Sequence, residues 1–383
     1  MYKLKWFVLL TLPFVLTGCW DSVEINERHV ILEIAIDKNP KPDSSQGHGK
    51  WGSYQITYGI PDIGKLSGGD SLAENVKTNI MTISPTIATS IDEVETKTQN
   101  TITFSHTKAL ILGKEILEDK DLFKAAVDSL LRDMKIGRSV MVLATKEKAG
   151  DLTQAENSQN PIVGMYVMKY FNNKERPVSY AKGQLLGNLI KEIQDTGVST
   201  LPIIKSDEEG IMEISGAALI KDYEFVTWLD KDEVRGELFI EGNIRQVPIV
   251  IDYKGEYLTY FIKEQQSKLK FKKDSGIWSC DIDVDVKGDI TEYLSSEDKN
   301  IFNEESIKEI TKLLEKEITR QMDVTLEKSK QLGIDFLGVG LEMYRKHPKE
   351  WKNYKDTWND GAYKALPIQL NTTVDIQNTG TLQ

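Results

Sequence analysis

Two cysteines, four histidines, an alternating run of aspartates and a small glycine cluster are the parts of this 383-residue chain that could do chemistry. Gly47-His-Gly49-Lys-Trp-Gly52 fits the spacing of a dinucleotide loop. That loop works only between a strand and a helix N-terminus, which together hold a pyrophosphate. Here a Pro/Ser-rich stretch precedes it and the alternating "SYQITYGI" follows, so nucleotide binding is not expected. Asp281, Asp283 and Asp285, with Glu292 at the twelfth position, outline a calcium loop. Such a loop needs Gly at its sixth position for the sharp turn, and Val286 stands there. The aspartates alternate with Cys280, Ile282, Val284 and Val286, as the wet face of a strand should. His29, His48, His106 and His347 are widely spaced, and none pairs with Cys, Asp or Glu at a zinc-ligand interval. Neither a G-x-S-x-G elbow nor H-E-x-x-H is present. Two carboxylates meeting in space stay open, but no motif argues for catalysis, a metal or a cofactor.

The remaining chemistry is the thiol of Cys19. It closes Leu16-Thr17-Gly18-Cys19, and the charged "WDSVEINER" begins on the next residue. Upstream, Met1–Lys5 carries Lys3 and Lys5, and Trp6–Leu16 is apolar apart from Thr11, with Pro13 interrupting it. This apolar run is about half the roughly 20 residues a spanning helix needs. A basic start, a short apolar core and small residues after it describe an export signal. Its end resembles the lipobox of bacterial lipoproteins, in which the cysteine sulfur receives a diacylglycerol and the signal is cut just before it. Thr17 and Gly18 suit a peptidase cleft, and only a thiol at Cys19 can form the thioether. The expectation is a signal peptide over 1–18 and an S-diacylglyceryl, N-palmitoylated Cys19. No later run approaches 18 apolar residues, so the body is expected to sit on a membrane rather than cross it.

The totals bound that body. The 365 residues after the signal suggest two or three domains. A hydrophobic share of 40% is enough for real cores, and 28% charged residues is ordinary for a globular surface. Net charge is −11, and loss of Lys3 and Lys5 takes it to −13. So acidic a body has no electrostatic case for nucleic acid or anionic headgroups. With Cys19 acylated, Cys280 has no disulfide partner. It lies on the apolar side of "WSCDIDVDV" and is expected to be a buried free thiol.

Strands are expected at "VILEIAID", "SYQITYGI", "KALILG" and "RSVMVLAT". Helical patterns fall at 71–81, 90–101 (with Ser90 and Glu93 spaced as a capping box), 121–133, 162–171 and 181–194. Strands alternating with helices argue for an α/β layer over residues 19–200. The polar "TGVSTLPIIKSDEEG" suggests a boundary, and the sequence beyond it is strand-rich to about Val286. A long helix follows near 304–332, where Ile307, Ile310, Leu314, Ile318, Met322 and Leu326 form one apolar stripe. A short helix near 336–345 and a final strand, "LPIQLNTTVDIQ", end the chain. The expected class is therefore mixed α/β and multi-domain. An N-terminal α/β domain precedes a C-terminal α+β domain over 201–383, with a further division near 265 open. The long helix is expected to lie on an antiparallel sheet.

With the lipobox in place, "GCWDSVEINER" resembles the start of the Ger(x)C family, the lipoprotein C-subunits of spore germinant receptors. The likeness continues in "FSHTKALILGKEIL", "LLRDMKIGRSVMVLAT", "ISGAALIKD" and "GIDFLGVGLEMYRKHPKEWKNY", in order along the chain. Lys221 and Asp222 depart from the family pattern at one strand end. The resemblance implies a three-domain α/β fold with no enzymatic activity. It implies a place on the outer face of the spore inner membrane, beside a polytopic A-type and a transporter-like B-type subunit. Only Cys19, as the lipidated residue, carries over from the family. Two other readings compete: a solute-binding lipoprotein of an import system, and a lipid-anchored envelope hydrolase. In "HPKEWKNYKDTWND", Trp351, Tyr354 and Trp358 are expected to cap the core of the last domain; the sharper alternative has a tryptophan facing a membrane partner.

Overall fold

The computed structural model describes residues 28–40, 54–62, 65, 76–132, 136–154, 161–293 and 303–379. Cys19, the signal segment, His48 and the Gly47–Gly52 cluster lie outside these residues. Strands β1 (Arg28–Val30) and β5 (Thr101–Thr103) form a small parallel pair. The main body is an eight-stranded sheet in the order β10-β9-β8-β7-β6-β2-β3-β4. Its centre, β2 (Glu33–Lys38), β6 (Ala109–Leu112), β7 (Met141–Ala144) and β8 (Val198–Ser206), is parallel. Antiparallel strands flank it: β3 (Tyr54–Pro61) and β4 (Lys77–Ser84) on one side, β9 (Met212–Lys221) and β10 (Glu224–Leu229) on the other.

The parallel strands read as continuous apolar runs because helices cover both faces. Helices α1 (Ile87–Thr96), α2 (Lys120–Arg132) and α3 (Leu186–Thr196) bury Val94, Phe123 and Leu189 against one face. Helices α4 (Ala149–Gln154) and α5 (Val163–Asn172) bury Leu152 and Val167 on the other. Because β8, β9 and β10 join this sheet, it runs through the expected division at 200/201 and ends at Leu229. The change of texture there marks the switch from parallel to antiparallel pairing.

The second sheet is four-stranded: β11 (Val247–Tyr253), β12 (Glu256–Asp274), β13 (Ile277–Tyr293) and β14 (Ile368–Asn378). β12 and β13 form one long hairpin. Its tip, Ser275 (φ 48°) and Gly276 (φ 87°), is left-handed at both central residues, the twist a two-residue turn needs. β14 joins in parallel to β13, so the sheet is antiparallel only in its first three strands. Helix α6 (Glu304–Leu332) spans the expected range and buries Ile310, Leu314, Ile318 and Met322 in the core beneath the sheet. Between the sheets lies α7 (Lys231–Glu241), a helix for which the sequence shows no apolar stripe. Asp230 caps it and Glu233 closes the capping box. Gly236 lets α7 cross α6 closely, since a Cβ there would strike Thr325 and the Gln321 carbonyl.

Two further expectations are corrected. Residues 77–81 belong to strand β4, not to a helix over 71–81. The inward side of β4 is polar: Thr82 and Ser84 are buried, while Met81 and Ile83 are exposed. Thr82 Oγ1 lies 2.5 Å from Ser90 Oγ, which lies 2.7 Å from the Tyr58 hydroxyl, while Ser84 Oγ is buried with no hydrogen-bond partner among the described residues. Ser90 is therefore inside α1 and does not cap it. The cap is Thr86, with Thr89 closing the box, and the helix stops at Thr96 instead of reaching 101.

Candidate functional site

Strand β2 sends two carboxyls inward, and both serve the fold. Glu33 is fully buried, and its Oε2 accepts the Gly164 N–H at 2.6 Å, at the start of α5. Burial pushes this carboxyl up to about 7, against the pull of the Gly164 and Val163 amides and Lys77. Gly59 and Gly164 are required around it, because a Cβ at the first would strike Glu33 and at the second the Leu32 carbonyl. Asp37 repeats the device four residues on, accepting from Ala149 and Gly150, each at 2.8 Å, at the start of α4. Carboxylates at helix N-termini offset the dipole and satisfy free amides. Glu33 Oε1 is buried with no hydrogen-bond partner among the described residues, whereas both oxygens of Asp37 are engaged.

A second polar cluster lies where the two sheets meet. Lys182 Nζ donates to Glu241 Oε1 at 2.6 Å and lies 3.5 Å from Glu237 Oε1. Burial lowers the Lys182 ammonium, but Glu237 and Glu241 outweigh it and hold the lysine above its ordinary range. Glu237 is fully buried, and burial pushes it up to about 7 while Lys182 pulls it back. Thr200 Oγ1 donates to Glu237 at 3.3 Å, and Gln184 bridges Ser199 (2.7 Å) and Glu192 (2.6 Å). The cluster therefore ties α3 and β8 of the first sheet to α7 of the second. Two spaces open beside it and share Lys182 and Asn188 in their walls: about 470 Å³ toward Phe336 and Tyr344, and about 810 Å³ toward Tyr170 and Arg245.

The closing motif builds a third cluster. Helix α8 (Val339–Lys346) starts on Asp335, whose carboxylate accepts from Val339 N (3.1 Å), Gly340 N (2.5 Å) and Trp358 Nε1 (2.8 Å). Burial raises the Asp335 carboxyl, and these three donors oppose that. Trp358 is buried against Trp351 (ring centroids 5.1 Å apart) and Tyr363 (5.7 Å). Trp351 and Tyr354 are half-buried on the same core. The aromatics thus cap the last core as expected, and Trp358 is not on an exposed face. Lys330 donates to the carbonyls of Leu366 (2.7 Å) and Tyr363, and burial lowers it to about 8.

The remaining chemical candidates are dispersed. Cys280 is a buried free thiol in β13, pushed up to about 12 by burial and then by Asp281, far from the range of a reactive thiolate. Asp281 pairs with Lys272, and Asp283 pairs with Lys270 at 2.7 Å and accepts from Asn371 at 2.8 Å. The aspartates form cross-strand pairs along the outer face of the hairpin. Among the described residues no three His, Cys, Asp or Glu converge on a metal-sized site. His347 packs its ring on Trp278 (4.9 Å), His106 is exposed and His29 lies in β1. Among the described residues no helix is long and apolar enough to cross a membrane.

Comparison with known proteins covers nearly the whole chain. A family model for the spore germination protein N-terminal domain matches residues 21–206, and the spore germination B3/GerAC-like C-terminal model matches residues 215–380. Spore germination protein KC of Bacillus subtilis (strain 168) is 23% identical over 400 residues, covering 97% of this chain and 95% of its own. Spore germination protein B3 of the same organism is 22% identical over 390 residues, covering 99% and 98%. The crystal structure of the GerBC protein superposes with a TM-score of 0.60 at 20% identity, covering 90% of this chain and 97% of that one.

Proposed function

Because this chain belongs to the GerAC-like spore germination family, we propose that it is a lipid-anchored, non-enzymatic subunit of a spore nutrient germinant receptor. The observation that carries the proposal is the paired family match, which runs almost from end to end with no extra domain between its halves. In this reading Cys19 carries the diacylglycerol and palmitoyl chains on the outer face of the spore inner membrane. The partners are an A-type and a B-type integral membrane subunit. Nine residue steps separate Cys19 from Arg28, where β1 begins, and fully extended they reach roughly 30 Å. A body tethered that closely suits docking on a membrane partner better than capture of solutes at a distance.

Glu33, Asp37 and Asp335 are occupied by helix N-termini, and Cys280 is sealed in a strand. Spores lacking this chain are expected to lose the germination response to the nutrients its receptor senses, and a copy of the wild-type chain to restore it. An unchanged response in a strain without redundant receptors would refute the proposal.

A further inference from the structure

The larger space at the meeting of the two sheets has an uneven charge. After α5 ends at Asn172, the chain turns and lays the Arg176 guanidinium on the Tyr170 ring, 3.8 Å from its centroid. Arg245 approaches from the lead into β11, and its Nη2 donates to the carbonyls of Asn173 (3.3 Å) and Arg176 (3.1 Å). Val178 and Arg245 also exchange backbone hydrogen bonds, which fixes the two segments together. Both arginines therefore stand on one wall of the 810 Å³ cleft, held by stacking and by carbonyls. Neither meets a carboxylate in any ion pair among the described residues, and Arg245 Nε, shielded from water, has no acceptor. The other two cations of the cleft are already matched, Lys182 by Glu241 and Lys263 by Asp289. Among the described residues, Glu264 is the one carboxylate lining it.

Both guanidiniums stand on this wall without a carboxylate partner among the described residues, in a chain of net charge −11. A planar guanidinium presents paired donors that match a carboxylate or phosphate, and a fixed plane loses less freedom on binding. The volume lies within the usual range of small-molecule sites, about 300–1,000 Å³. Phe171, Val178 and Leu238 add apolar wall to the same cleft. We propose that this cleft is a binding site for a small organic anion, whose carboxylate or phosphate group is held by Arg176 and Arg245. The proposal stands independently of the lipid anchor and of the receptor role.

The test is calorimetric titration of the full chain, in a neutral detergent, with succinate and with inorganic phosphate. Saturable one-to-one binding of at least one probe is expected. Arg176→Gln should weaken it at least about tenfold, the loss of one strong contact, with the melting temperature unchanged. Glu264→Gln should tighten it by removing the opposing charge. Saturation by phosphate alone would assign a phosphate group, from a lipid headgroup or a soluble ester, and saturation by succinate a carboxylate. No saturable heat with either probe up to about 10 mM, a concentration that would reveal even millimolar affinity, would overturn the proposal. So would binding that Arg176→Gln and Glu264→Gln both leave unchanged.

Discussion

Exported behind a cleavable signal that lacks the lipobox, a chain with Cys19→Ala is expected to leave the membrane fraction and appear in the soluble one. Acyl anchoring is worth about 0.8 kcal/mol per buried CH₂, and one chain holds a protein only marginally while two or more hold it stably. Nothing else visible in the chain replaces that energy. No described helix is long and apolar enough to span, and a net charge of −13 after cleavage repels anionic headgroups. The separate cleavable signal matters, because an uncut Trp6–Leu16 segment would itself hold the chain at the membrane. Fractionation at high salt gives the readout. A mutant that stays in the pellet as completely as the wild type would remove the anchor from the account.

The second large effect is expected at Trp358→Ala. The indole is buried, packs on Trp351 and Tyr363, and donates to a carboxylate that also holds the first amides of α8. Truncating a buried aromatic costs about 3–5 kcal/mol. Removing one donor from the buried Asp335 carboxylate adds about 1–3 kcal/mol. A folded domain holds only about 5–15 kcal/mol in all, so the C-terminal unit should melt at a far lower temperature or fail to fold. Trp358→Phe helps to separate the two contributions, since it keeps an aromatic ring in the core and removes the N–H, so its cost should fall well below that of the alanine variant. Circular dichroism melts of the chain without its lipid check both. An unchanged melt in Trp358→Ala, together with failed receptor assembly, would move Trp358 from the core to a docking surface.

Some of this architecture stands plainly in the residues. Helix α6 is readable end to end because its stripe of Ile310, Leu314, Ile318 and Met322 faces one core along its whole length. The parallel strands are readable because burial on both faces makes them uniformly apolar. Other elements hide for physical reasons. β4 turns Thr82 and Ser84 inward and Met81 and Ile83 outward, the reverse of the usual pattern. α7 shows no stripe because Val234 through Ile240 are all buried, Arg235 and Glu237 among them. Its cap, Asp230 with Glu233, was the signal that could have found it. The parallel docking of β14 on β13 rests on pairs such as Ile282 with Leu370, which no local pattern announces.

The candidate sites divide in the same way. The expectation at Cys19 rests on its neighbouring residues alone, and it lies outside the described residues. The junction is not legible in the sequence, because Lys182 and Glu241 stand 59 residues apart and meet only when both sheets are formed. Arg176 and Arg245 likewise come from separate loops, 69 residues apart, and only the fold sets them on one wall.

The receptor claim is tested most directly by gentle detergent extraction of spore membranes carrying this chain with a tag near Gln383, followed by identification of the proteins that co-purify. The account predicts recovery of one polytopic A-type subunit and one transporter-like B-type subunit in fixed proportion to this chain. Recovery of a permease with an ATPase, or of no partner from an extract in which a known membrane complex survives, would contradict it.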